Sequence, residues 1–120
     1  MLFDFETFSR LVCKVYEGGL YKLEDVLRVF RCYFQQYEEK TGRPHPDICL
    51  GQIRRIIRVM PYISQDEVIS SKVYGSLIRQ HFETQYRNCD YNINHFFSGR
   101  IRQLRWYEVK EEWYVLPHLS

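Results

Sequence analysis

Residues 93–109 read INHFFSGRIRQLRWYEV, and this stretch decides which fold the sequence predicts. Up to residue 105 the apolar side chains recur every three or four positions, as on one face of a helix. From Trp106 onward, the segments WYEV and WYVL flank KEE, and both are rich in residues that favour strands. We therefore predict a helix over about 93–105, followed by a C-terminal two-stranded β-hairpin.

The same helical spacing of apolar residues predicts four further helices upstream. Their expected ranges are 4–16, 22–41, 47–60 and 73–87. Asp4 is a suitable N-cap for the first helix, and Gly42 ends the second. In the third helix, Asp47 is the expected N-cap and Cys49 is expected on the buried side. The predicted fold is mainly α, with about five helices and a C-terminal hairpin in a single domain over 1–120.

The order of helix four, turn, helix five and hairpin is that of a winged helix, in which helix five would read DNA and the hairpin would be the wing. The fold class that we predict is therefore winged-helix-like. Asp4 and Glu6 stand where an export signal needs positive charge, and no uncharged run exceeds nine residues. We expect a cytoplasmic protein without a membrane partner.

Positive charge is concentrated in the middle of the chain. The net charge is +2, but residues 43–105 hold ten basic and five acidic side chains, a balance of +5. Arginine guanidinium groups suit phosphate oxygens and guanine edges. The expected outer faces of the third and fifth helices carry the arginines that we predict to contact phosphate: Arg54, Arg55, Arg58, Arg100, Arg102 and Arg105.

Three polar residues and one glycine on the fifth helix complete the predicted nucleic-acid site. Asn94, His95 and Gln103 are candidates for contacts with base edges. Gly99 costs about 1 kcal/mol relative to alanine on an exposed helix, which indicates close approach of a ligand to the backbone there. The alternative interpretation is that these arginines are only the solvated face of amphipathic helices, and the acidic KEE segment argues against a wing that touches DNA.

Aromatic residues at the C-terminal end indicate a second kind of binding surface. An alternating strand would send some of these rings outward, where Trp and Tyr are typical of protein-binding hot spots. The candidate protein-binding residues are Trp106, Tyr107, Trp113 and Tyr114.

Histidine and cysteine spacing gives no basis for a metal, a cofactor or a catalytic site. His45 with Cys49, and Cys89 with His95, lack the short paired spacings of zinc sites. Cys89, Asp90 and His95 lie close in sequence, but a nucleophile needs a base within hydrogen-bond reach. We therefore predict no catalytic residues, no metal ligands and no cofactor, and expect a protein that is not an enzyme. His81 lies on the apolar side of its helix and is predicted to be a core residue.

The segments NCDYN and HFFSGRIRQLRWYEV resemble small uncharacterised accessory proteins of Firmicutes phages and mobile elements. The resemblance covers about 20 residues. It implies a DNA-binding accessory factor or an inhibitor of host defence such as an anti-CRISPR. The basic middle region does not suit simple mimicry of DNA.

Two functions are therefore predicted. The first is a nucleic-acid-binding accessory or regulatory protein that uses a basic helical face. If about five cations contact phosphate, the log–log salt slope of binding would be near −4 to −5. The alternative is an inhibitor or adaptor that binds a partner enzyme or ribonucleoprotein through the C-terminal aromatic residues.

Overall fold

The computed structural model describes residues 4–86, 89–98 and 100–114, and these residues form six α-helices and one small sheet. In chain order the elements are α1 (Phe5–Val15), α2 (Leu23–Thr41), α3 (Leu50–Val59), β1 (Tyr62–Ser64), β2 (Glu67–Val68), α4 (Tyr74–Glu83), α5 (Ile93–Phe96) and α6 (Ile101–Tyr114). A short 3-10 turn over Ser71–Val73 leads into α4. The predicted class, mainly helical with a two-stranded antiparallel sheet, is confirmed.

The first two helices begin and end close to where the sequence predicts. The Asp4 carboxylate accepts a hydrogen bond from the Glu6 amide at 3.1 Å and so caps α1. Helix α2 ends at Gly42, whose φ of 71° lies in the left-handed region that glycine adopts at little cost. Both helices turn their aromatic residues inward, and the Phe8 ring meets the Phe30 ring edge-on at a centroid distance of 4.9 Å.

The third and fourth helices are shorter than predicted. Helix α3 begins at Leu50, and Cys49 is its N-cap, so Asp47 does not cap it and the predicted burial of Cys49 is wrong. Ile48 is buried instead, because the extended backbone before the helix turns it toward the core. Helix α4 ends at Glu83, where Thr84 adopts an extended conformation.

The position that we predicted for the hairpin is wrong. The two strands lie between α3 and α4, where Tyr62 pairs with Val68, whereas residues 101–114 are helical. Trp106 and Val109 are both buried, which is the spacing of one helix face. In a strand, residues three apart point to opposite faces, so Trp106 and Val109 could not both be buried against one surface. The described residues from α5 to Tyr114 contain no strand, so a winged helix is not confirmed.

The predicted fifth helix is interrupted between α5 and α6. Ile93, Phe96 and Phe97 are buried as expected. Because α5 and α6 are separate helices, residues 93–105 do not share one continuous buried face. Leu104, expected inside, is 50% exposed, and Arg105, expected outside, is 8% exposed.

Candidate nucleic-acid interface

The six arginines predicted to contact phosphate do not form one surface. Arg54, Arg58 and Arg100 are exposed, Arg55 and Arg102 are half-buried, and Arg105 is buried. The prediction of a shared outer face is therefore wrong for Arg102 and Arg105, and the hydrogen bonds of each side chain give the reason.

Arg55 and Arg102 hold α3 against the α5–α6 junction. The Arg55 guanidinium donates a hydrogen bond to the Phe97 carbonyl at 3.2 Å. The Arg102 guanidinium lies 5.0 Å from the centroid of the Phe97 ring and donates to the Val59 carbonyl at 3.2 Å and to the Tyr74 hydroxyl at 2.9 Å. Because these groups satisfy main-chain and side-chain acceptors, their first role is structural.

Arg105 connects α6 to the end of α4. Its guanidinium donates to the Thr84 hydroxyl and to the Glu108 carboxylate, the latter at 3.1 Å. The same group lies 5.8 Å from the centroid of the Tyr86 ring. A charge that is this buried and paired inside the fold is not available to a phosphate.

Arg54 and Arg58 remain on the free face of α3, one turn apart. They lie on one wall of a cleft of about 320 Å³, together with Ile57 of the same helix. Within the described part of the chain, neither guanidinium has a hydrogen-bond or ion-pair partner. The two groups can therefore approach an anion without first breaking an internal contact.

The opposite wall of the cleft is the loop between α1 and α2. Gly18 and Gly19 have φ values of 91° and 134°, a backbone conformation that residues with a Cβ rarely adopt. No backbone hydrogen bond joins residues 17–20 to any other described residue, so their amide groups are free to bind a ligand or water. Glu17 also lines this cleft and places one negative charge at its edge.

Two tyrosines hold the loop at its ends. The Tyr16 hydroxyl donates to the Tyr21 carbonyl at 2.6 Å, and the Tyr21 hydroxyl donates to the Ile69 carbonyl at 2.6 Å. Burial raises the pKa of Tyr21 well above its usual range, so its hydroxyl remains a donor at all ordinary pH values. Tyr62 of β1 completes the lining and is 41% exposed. The cleft thus combines a fixed loop, two free cations and an accessible aromatic ring.

The candidate base-contacting residues differ in how accessible they are. His95 is exposed on α5, and Gln103 is half-buried on α6. The side-chain nitrogen of Asn94 donates to the side-chain oxygen of Asn92 at 3.1 Å, so this donor is used in a local contact. Gly99 lies outside the described residues, and the inference drawn from it stays a prediction.

The aromatic residues of the predicted protein-binding site also differ in exposure. Trp106 is 2% exposed and belongs to the core, so its predicted place on a binding surface is wrong. Tyr107 is 59% exposed and Trp113 is 38% exposed on α6. The side chain of Tyr114 lies outside the described residues.

His81 is a core residue, as predicted, and each of its ring nitrogens has a tyrosine hydroxyl partner. Tyr33 donates its only hydroxyl proton to the Tyr91 carbonyl at 2.7 Å, so its oxygen accepts from His81 Nε2 at 3.1 Å. Nδ1 then accepts from the Tyr86 hydroxyl at 3.0 Å. Burial, helped by the nearby charges of His95, Arg105 and Lys40, lowers the pKa of His81 to about 3. The ring is therefore neutral.

His45 is the second buried histidine, and its ring joins two segments of the chain. Nδ1 donates to the Pro46 carbonyl at 2.7 Å, and Nε2 accepts from the Ile93 amide at 3.0 Å. Burial lowers the pKa of His45. Within the described residues, no three His, Cys, Asp or Glu side chains come together in a way that could hold a metal ion.

Sequence reasoning missed the cleft itself. Neither the Gly18–Gly19 pair nor Tyr62 is among the candidate residues that the sequence predicts. The double glycine indicates a loop between the first two helices. The spacing of residues does not show that α3 lies opposite this loop.

Comparison of the chain with protein-family models, with curated proteins and with solved structures gives no match. The resemblance to proteins of phages and mobile elements therefore stays a prediction. In the described part of the chain, no helix has both the length and the apolar character needed to cross a bilayer.

Proposed function

We propose that this protein is a small nucleic-acid-binding accessory protein whose phosphate contacts are made at the cleft between α3 and the α1–α2 loop. One observation carries the proposal: Arg54 and Arg58 lie one turn apart beside the cleft, with no internal partner among the described residues. Guanidinium groups without internal partners attract phosphate and lose no intramolecular bond when they bind it.

The other features of the cleft support a phosphate-bearing ligand. The free amides of residues 17–20 are additional donors for phosphate oxygens. The exposed ring of Tyr62 gives a surface on which an unpaired base can stack. The Glu17 carboxylate at the edge of the cleft would repel an anion. The two arginines, and not the loop, must therefore provide most of the attraction for phosphate.

The number of free cations sets a specific expectation for the salt dependence of binding. Two phosphate contacts give a slope of about −1.8 in a plot of log K against log salt concentration for duplex DNA, and about −1.4 for a single strand. Both slopes are much shallower than the −4 to −5 predicted from about five contacts, because Arg55, Arg102 and Arg105 are bound within the fold and Arg100 does not line the cleft.

The experiment is a fluorescence-anisotropy titration of duplex and single-stranded oligonucleotides across a salt series. The double variant Arg54→Gln/Arg58→Gln is expected to lose nearly all of the salt dependence. The matched control is Arg43→Gln/Arg79→Gln, which removes the same charge from two exposed arginines outside the cleft. No binding at about 50 mM salt, or an equal loss in both double variants, would contradict the proposal.

A second candidate function is that of an inhibitor or adaptor that binds a partner protein or ribonucleoprotein, such as an anti-CRISPR. It is favoured by the exposed rings of Tyr107 and Trp113, since tyrosine and tryptophan are enriched in protein-binding hot spots. Loss of partner capture in Trp113→Ala, with nucleic-acid affinity unchanged, would favour this function over the first.

A further inference from the structure

Helix α6 turns one face to the rest of the chain and the opposite face to solvent. Trp106 and Val109 lie on the inner face and are 2% and 6% exposed. The outer face carries two apolar side chains, Leu104 and Tyr107, which are 50% and 59% exposed. Within the described residues, the ring of Tyr107 is contacted by the Lys110 ammonium group of its own helix, 4.7 Å from the ring centroid.

Charged residues stand at both ends of this apolar pair. Arg100 precedes it by one turn and Glu111 follows it by one turn, and both are exposed. The spacing of four, three and four residues along Arg100, Leu104, Tyr107 and Glu111 is that of a seam between two packed helices. We call these four residues the α6 seam.

The α6 seam is complementary to itself in one orientation. Its residues are placed symmetrically about the midpoint between positions 105 and 106. In an antiparallel pair of α6 helices, Leu104 therefore meets Tyr107 of the second copy while Arg100 meets Glu111 of that copy. A parallel pair would place Arg100 against Arg100 and Glu111 against Glu111, and such like-charge contacts are unfavourable.

We propose that the protein self-associates through the α6 seam, forming a two-fold symmetric dimer in which the two α6 helices run antiparallel. A two-fold interface uses the same patch on both subunits, and the order of charges along the seam has this property. The occupant is a second copy of this chain, because the charge order of one seam is the complement required by the other.

The size of the seam predicts a weak dimer. Arg100 and Glu111 are about 16 Å apart along a helix that rises about 1.5 Å per residue. Two apolar and two charged side chains from each copy bury less area than the roughly 1,200 Å² of a stable interface. Dimerisation is therefore expected to depend on concentration in the micromolar range. Arg54 and Arg58 lie on α3 and take no part in the seam, so this inference stands independently of the proposed function.

The test is sedimentation velocity of the full chain over about 1–500 µM without nucleic acid, a range that covers weak association. The wild type is expected to shift from monomer to dimer. Arg100→Glu and Glu111→Arg are each expected to remain monomeric throughout, because each places like charges together at both ends of the seam. Arg43→Glu, a charge reversal outside the seam, is the matched control and should dimerise as the wild type does.

Two combinations of these substitutions separate an antiparallel seam from a general effect of charge. The double variant Arg100→Glu/Glu111→Arg is expected to dimerise again, because both pairs are restored with their signs exchanged. An equimolar mixture of the two single variants should form a heterodimer for the same reason. Circular dichroism checks that each variant is folded. A wild type that stays monomeric, or a dimer that is insensitive to the single reversals, would overturn the proposal.

Discussion

Replacing His81 with glutamine is expected to remove a large part of the pH dependence of folding stability. The neutral ring is required by its place in the core, where Nε2 donates to Tyr33 and Nδ1 accepts from Tyr86. Its pKa is about 3 in the folded protein, compared with 6.5 in an unfolded chain. Between these two values the unfolded state binds a proton that the folded state does not.

The sign and size of the effect follow from this difference in proton binding. Stability conferred by the neutral ring is fully present above pH 6.5 and is lost as the pH falls toward 3. With these two pKa values, the free energy of unfolding at pH 5 is lower by about 2 kcal/mol than at pH 8. His45 is a further contributor in the same direction, because burial lowers its pKa as well.

Urea unfolding of the wild type and of His81→Gln at pH 8, 6.5 and 5 measures the effect. Glutamine at position 81 cannot reproduce the packing and both hydrogen bonds of the ring, so the variant should be less stable than the wild type at pH 8. Because glutamine does not titrate, this difference should shrink by about 2 kcal/mol at pH 5. His95→Gln is the control, because it removes an exposed histidine and keeps the buried ring. Most of the pH dependence should remain in this variant, since burial, and not the charge of His95, is the main cause of the lowered pKa of His81. Parallel stability profiles for wild type and His81→Gln would refute the reasoning.

Two further predictions concern α6. Arg105→Ala should lower the free energy of unfolding by about 2 kcal/mol, because it removes the hydrogen bonds to Thr84 and Glu108 and the packing of a buried side chain. The salt slope of nucleic-acid binding should stay unchanged, and a reduced slope would return Arg105 to the ligand site. Lys110→Pro should lower the free energy of unfolding by about 3 kcal/mol or more, because a proline there removes a hydrogen bond inside α6. A hairpin turn at KEE would tolerate the proline, so thermal melting distinguishes the helix from the hairpin.

The helices that the sequence predicted best are those whose signals are local. Asp4 caps α1 through the neighbouring Glu6 amide, and Gly42 ends α2 with a left-handed backbone, so both ends depend on contacts between residues close in sequence. The burial of His81 was also predictable, because the spacing of apolar residues alone identifies the buried side of its helix.

The C-terminal segment was mispredicted because its residue types suit two structures. Tryptophan, tyrosine and valine favour strands, but the spacing of Trp106 and Val109 also fits one helix face. Packing against α4 decides in favour of the helix, since it buries both side chains together with Arg105. No local signal reports the presence of that neighbouring surface.

The candidate site shows the same division between what is local and what is tertiary. The spacing of residues is enough to predict that the middle of the chain is basic and that α3 carries arginines opposite its isoleucines. Which of these charges are free depends on contacts between distant segments. Arg55, Arg102 and Arg105 each donate to an acceptor at least 21 residues away in the chain, whereas Arg54 and Arg58 face a cleft whose other wall comes from the α1–α2 loop. Partners this distant in sequence are brought together only by folding, so the spacing of residues cannot reveal them.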